Sequence, residues 1–281
     1  MRPILLHLHL IPAALYAVLG LYFWRARSAN PAASGKPVSS MARFERVLLV
    51  LALLVHSFAL YAEIFPKGEM RFGPSIAFSL AVWLSICFYW VETLYNRLDG
   101  LRVIVLPAGV LACLLVVFFP YSKALPNDNI ASPIFCVHLI IAMLACSLFM
   151  LALLHAMLMA MATKQLHHAH LSKALANLPP LLTMEALLFR LIGTAFMLLT
   201  LTLLTGVILF GTAFPFDYKS VKSVFATISW LLFGILLIGR HFRGWRGRVA
   251  LRWTLAGFVA LFITVMLAIG SRFVIEVLLH R

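Results

Sequence analysis

Long uninterrupted apolar runs dominate the chain and are parted by short polar or basic stretches. The runs cover about 4–23, 47–65, 74–95, 101–120, 133–163, 186–210, 223–239 and 249–269. Most are near the ~20 residues that carry a helix across ~30 Å of hydrocarbon. They are continuous rather than alternating, as membrane helices are and barrel strands are not. The pattern predicts an all-α polytopic transmembrane helix bundle of about eight spans, forming a single integral membrane domain over 1–281. The fifth run is long enough to tilt or to extend beyond the bilayer.

Composition strengthens this reading. The chain is 63% hydrophobic and 11% charged, with a mean hydropathy of +1.02, whereas soluble domains average roughly 25% charged residues. The net charge of +14 does not point to nucleic acid, because the charges collect in alternate loops instead of forming a stripe on a soluble face. Most of the 23 lysines and arginines flank the loops after the first, third, fifth and seventh runs. That bias predicts both termini outside, in the periplasm if the membrane is the inner membrane of a Gram-negative bacterium, with the lipid bilayer as the first partner.

The first run lacks a small-residue cleavage site, so no cleavable signal is expected. Cys87, Cys113, Cys136 and Cys146 all lie within apolar runs without a CxxC spacing. They read as small buried hydrophobes rather than as a disulfide or metal site. No catalytic nucleophile or glycine fingerprint for a cofactor stands out, and the chain is not expected to be an enzyme.

Histidine changes the picture. Inside hydrocarbon it is costly without a partner, so each histidine at bilayer depth is a functional candidate. At a rise of about 1.5 Å per residue, His9 and His138 lie roughly 8–9 Å inside the outer ends of their spans, and His56 roughly 14 Å. These three are expected to converge in the outer half of one bundle, with His7 on a different face. His155 lies about 25 Å beyond His138 on the same helix and cannot share its ligand. His241 sits at the inner end of the seventh run.

Axial ligation of haem iron is the chemistry that calls for imidazoles on facing helices. No HxxxH or ExxH spacing within a span supports a divalent-metal centre. The plainer reading gives His9 and His155 interhelical hydrogen bonds, places His7 at the interface, and leaves His167, His168 and His170 in a solvated linker. Trp24, Trp90, Tyr95, Tyr121, Tyr218 and Trp245 fall at span ends, where aromatic belts form without any ligand.

The second half of the chain carries more specific signals. Leu182-Thr183-Met184-Glu185-Ala186-Leu187-Leu188-Phe189-Arg190 leads into a Leu/Thr/Gly-rich span, followed by Phe216-Asp217-Tyr218-Lys219. Gly239-Arg240-His241 and Gly244-Trp245-Arg246-Gly247-Arg248 come next, with Gly257-Phe258 in the last span. Together these resemble the cytochrome c assembly protein family of haem-handling membrane proteins. The likeness is best over 133–281 and looser earlier, where it rests on span count and Phe78-Ser79-Leu80-Ala81-Val82-Trp83.

The resemblance implies haem b as cofactor, a link to c-type cytochrome biogenesis, and other cytochrome c assembly proteins as partners. His138, in Val137-His138-Leu139, resembles the family's external histidine, and His241 its transmembrane haem-ligand histidine. Both are therefore candidate haem-iron ligands, near opposite faces and so not for one iron. His56 is a depth-based partner for the outer half. His280 lies above His138 if the tail folds back, and terminal disorder is its plainer reading.

One departure matters. Phe214, Phe216 and Tyr218 stand in a shortened loop where haem-transporting members carry tryptophans. That departure favours an alternative, a structural or regulatory membrane subunit without haem that supports another complex or a transporter. A solute transporter is the weakest reading, because no inverted repeat is evident.

Overall fold

Within hydrocarbon a backbone N–H or C=O finds no water, so an apolar run satisfies itself only as a helix. The computed structural model describes residues 7–29, 43–66, 69–95, 99–120, 122–125, 132–167, 181–210 and 221–279. Eight long helices occur among the described residues: α1 (Leu10–Ala29), α2 (Arg43–Ile64), α3 (Pro74–Tyr95), α4 (Arg102–Phe118), α5 (Pro133–His167), α6 (Leu181–Phe210), α7 (Val221–Arg243) and α8 (Gly247–Leu279). Six are long and apolar enough to cross a membrane, and α1 and α4 are shorter apolar helices. The expected all-α polytopic bundle is present, helix for run.

The helices mostly overrun their apolar runs. α2 begins at Arg43, and α7 ends at Arg243 rather than near 239. Basic residues tolerate helical geometry and carry these ends into the interface. One element had no counterpart in the sequence reading. Strands β1 (Arg71–Phe72) and β2 (Lys123–Ala124) pair antiparallel, with Arg71 opposite Ala124 and Phe72 opposite Lys123. Two residues per strand are too few to show an alternating pattern.

In the first half α1 packs on α2 and α4, and α3 packs on the same two helices. In the second half α5 pairs with α6 and α7 with α8, while α5 and α8 close against α3. Successive helices alternate in direction, so the bundle has two ends: a β end carrying β1 and β2, and an arginine end where α7 turns into α8.

Polar side chains tie the helices at a few points. Trp83 Nε1 donates to Leu53 O at 3.0 Å, and Ser85 Oγ donates to Ser147 O at 2.7 Å. Ser229 Oγ donates to Gly257 O at 3.0 Å. The rings of Phe149 and Phe233 stack with centroids 4.0 Å apart.

The outward faces are as apolar as the core. On α2, Val47, Leu51, Leu54, Phe58 and Tyr61 are exposed at helical spacing, opposite buried Leu49, Ala52, His56 and Leu60. Such a helix is stable only with hydrocarbon on its outer face.

Candidate functional site

Each of the first four helices buries one stripe, and each stripe carries a heteroatom at a similar height. On α1 and the residues leading into it the buried stripe is His9, Ala13, Tyr16, Leu19 and Phe23; on α4 it includes Val105, Gly109, Ala112, Cys113 and Val116. His56 on α2 and Ser79 on α3 complete the set, both fully buried. His56 lies roughly 12 Å before the end of α2, Ser79 roughly 8 Å inside the start of α3, and Cys113 roughly 8 Å before the end of α4. All four therefore meet in the half of the bundle toward the β end.

His56 is held on both sides. Tyr16 Oη lies 3.3 Å from Nδ1, and Ser79 Oγ lies 3.0 Å from Nε2. In a neutral imidazole one nitrogen donates while the other accepts, and the two hydroxyls can serve either role. Cys113 Sγ stands 3.6 Å from His56 Nε2. Tyr16 reaches this position because Gly109, one turn before Cys113, has no side chain: a Cβ there would stand 3.0 Å from the tyrosine ring and 3.0 Å from Ile86. The His9 ring meets His56 edge-on, with centroids 6.1 Å apart and planes at 85°. Neither His9 nitrogen has a hydrogen-bond partner among the described residues.

His138 belongs to a different corner. It lies near the start of α5, half-buried, with Nδ1 2.8 Å from Thr205 Oγ1 on α6. The Thr205 hydroxyl also lies 2.9 Å from Leu201 O and 3.1 Å from Thr202 O. Where it donates to one of these carbonyls, its oxygen accepts from His138 Nδ1–H, which is the tautomer of a histidine that ligates through Nε2. Gly206 lets α6 come close, since a Cβ there would stand 3.5 Å from His138 Cε1.

His241 occupies the opposite end. It is exposed in the last turn of α7, with its ring edge-on to Phe242 at 4.9 Å. Glu185 on α6 reaches this turn, and Glu185 and Thr205 are about 30 Å apart along one helix. His138 and His241 thus lie at opposite ends of the bundle.

His155 is fully buried on α5. Its Nδ1 is 3.0 Å from Leu151 O, and its Nε2 is 3.5 Å from Glu92 Oε2 on α3. The structure therefore brings together His9 and His56 of the three histidines expected to converge, and sets His138 against α6 instead. His168, His170, His280 and the loop bearing Phe214, Phe216 and Tyr218 lie outside the described residues.

Cys113 was expected to be a buried hydrophobe, and it is buried but beside an imidazole. Tyr16, Ser79 and Thr205 were not singled out from sequence. Helical spacing contained part of the signal, since Tyr16 lies two turns from His9 on one face.

These features define a class: a multi-pass membrane helix bundle with oriented imidazoles inside it. The chain belongs to the cytochrome c assembly protein family, whose family model matches residues 12–279. It is similar to inner membrane protein YpjD of Escherichia coli strain K12, 29% identical over 237 residues that cover 83% of this chain and 86% of that protein. The likeness is the same to inner membrane protein YpjD of E. coli O157:H7. No solved structure matches. The chain is a multi-pass protein of the bacterial inner membrane.

Proposed function

We propose that this protein binds and positions haem in the bacterial inner membrane as part of c-type cytochrome biogenesis, without catalysing a reaction itself. The observation that carries the reading is the Thr205–His138 contact of 2.8 Å. It anchors a half-buried imidazole through Nδ1 in a protein whose family is defined by cytochrome c assembly. The donor chemistry fits haem: a neutral imidazole is a common axial ligand, and the hydroxyl behind it supplies the outer support that tunes such ligands. The chain has no CxxC thiol pair for covalent attachment, so the haem is held non-covalently, as haem b is.

When bound, haem supplies an iron whose axial positions accept imidazole nitrogen. His138 would hold it on the outer side, with both termini outside as the distribution of arginine and lysine favours. His280 remains the tail candidate for the same site. His241, at the far end, would serve a second site. There Arg240, Arg243 and Arg246 offer guanidinium groups suited to carboxylates such as propionates. Other cytochrome c assembly proteins are the partners this role requires.

The test is an absorption spectrum of the purified protein after expression with ample haem. A Soret band is expected in the wild type, weakened by His138→Ala and, if two sites exist, by His241→Ala. A band unchanged by His138→Ala overturns the ligand assignment. No band at all overturns the haem reading and leaves a structural or regulatory subunit, which the replacement of tryptophans by Phe214, Phe216 and Tyr218 favours.

A further inference from the structure

His9, His56 and Cys113 offer two imidazole nitrogens and a sulfur that all lie within 4.8 Å of one another, and all three residues are buried. His56 is oriented by Tyr16 and Ser79. His9 is not: it is fully buried, edge-on to His56, and neither ring nitrogen finds a hydrogen-bond partner among the described residues. Buried polar atoms are almost always paired, and an unmet imidazole inside a membrane bundle is costly. An unpartnered imidazole, a second imidazole that gives up one of its two hydroxyl contacts to ligate, and a thiol, all within 4.8 Å, make a ligand set.

We propose that His9, His56 and Cys113 bind a single copper(I) ion in a three-coordinate site of two nitrogens and one sulfur. Metal–nitrogen and metal–sulfur bonds of about 2.0 and 2.3 Å hold the donors of a trigonal ion about 3.5–3.7 Å apart. The widest separation here closes by about 1 Å, within reach of side-chain rotation. Soft thiolate with imidazole is a donor set that favours copper(I). Charge points the same way: the Cys113 thiolate neutralises a monovalent ion, whereas a divalent ion leaves a net positive charge in an apolar interior.

Tyr16, Ser79 and Cys113 stand 3.3, 3.0 and 3.6 Å from His56, a close packing that suits a single small ion. His7 is exposed one turn before the start of α1, on the same segment as His9. On loading, the Cys113 S–H bond breaks, the S–Cu bond forms, and the proton leaves to water; no electron is exchanged.

The full-length protein in mild detergent, loaded anaerobically with copper(I) under ascorbate, is challenged with the chelator bicinchoninate. One copper per chain is expected to be retained, and X-ray absorption is expected to read one sulfur and two nitrogen neighbours. Cys113→Ser and His9→Gln should each weaken retention at least a hundredfold, while Cys87→Ser should not change it. Wild-type protein that surrenders its copper, a metal shell without sulfur, or a preference for zinc overturns the proposal. So does undiminished binding in Cys113→Ser. The wild-type measurements need no variant, so a variant that fails to fold leaves the test intact. The Soret band reports His138 separately, so failure of either reading is distinguishable.

Discussion

Thr205 Oγ1 lies 2.8 Å from His138 Nδ1 and 2.9 Å from Leu201 O. When the hydroxyl donates to the carbonyl its oxygen accepts from the ring, which puts the proton on Nδ1 and the lone pair on Nε2. Thr205→Val keeps the shape and removes the acceptor. Loss of such outer support typically weakens ligation about 10–100-fold. Haem titration of Thr205→Val should show a loss in that range, and Thr205→Ser should restore most of the affinity. Equal affinities for the valine and serine variants would sink the role of the hydroxyl.

Glu185 ties the start of α6 to the arginine turn. Its Oε1 lies 3.9 Å from Arg240 Nη1 and 3.7 Å from Arg246 Nε, and the Arg240 guanidinium lies 3.7 Å above the Phe189 ring. The two arginines differ in shielding: the Arg240 side chain is 33% exposed and that of Arg246 67%. Exposed pairs contribute about 0–1 kcal/mol, so Arg246→Ala should change thermal stability little. Arg240→Ala loses the ring contact as well and should cost about 1–2 kcal/mol. Glu185→Gln should fall between them. Melting curves in one detergent give the order, and a larger effect from Arg246→Ala would contradict the geometry.

The helices were legible because their runs were long, and the same property concealed the sites. On α2 the lipid-facing Leu51, Leu54 and Phe58 are as apolar as the buried Leu49, Leu53 and Leu60. With both faces apolar, the sequence does not say which way His56 points. Depth counting placed His9 and His56 in the same half of the bundle, but it had no means of choosing Cys113 over Cys87. Packing made that choice, through Gly109 and the close approach of Tyr16 to α4. His138 and Thr205 are separated by 67 positions, and nothing local to either residue marks the pairing. The basic run after α7 announced a membrane interface, whereas its anchoring by Glu185 required the fold.

Gly239 lies directly beneath Trp245, which stacks on Trp253 with centroids 5.4 Å apart. The turn that brings Trp245 back depends on Gly244 at φ 63°, whose N–H reaches Arg240 O at 3.1 Å in a left-handed helix cap. Gly239→Ala puts a methyl into the indole and should cost about 1–3 kcal/mol, as overpacking does. Trp245→Ala clears that space, so the double variant should be less destabilised than the sum of the two single changes. Strict additivity in thermal unfolding would show that the contact has no energetic weight.

Arg102 and Glu45 form a largely buried ion pair between α4 and α2. Arg102 Nη1 donates to Glu45 Oε2 at 2.8 Å, with side chains 7% and 13% exposed, and the Phe23 ring lies 5.0 Å from the guanidinium carbon. A small pocket lined by Leu19, Phe23, Leu49, Tyr89 and Leu106 lies against both side chains. Glu45→Gln therefore leaves a guanidinium with little solvent to replace its counter-charge, and loss of one partner of a buried pair costs about 3–5 kcal/mol. Arg102→Leu alone strands the carboxylate and should be comparably harmful. Replacing both at once, as Glu45→Leu with Arg102→Leu, removes the desolvation cost together with the attraction, and such exchanges are often neutral or stabilising. A double-mutant cycle on thermal stability should thus return a coupling of at least about 2 kcal/mol. If the cycle closes near zero, water reaches the pair more freely than its burial implies, and the link between α2 and α4 is apolar packing alone.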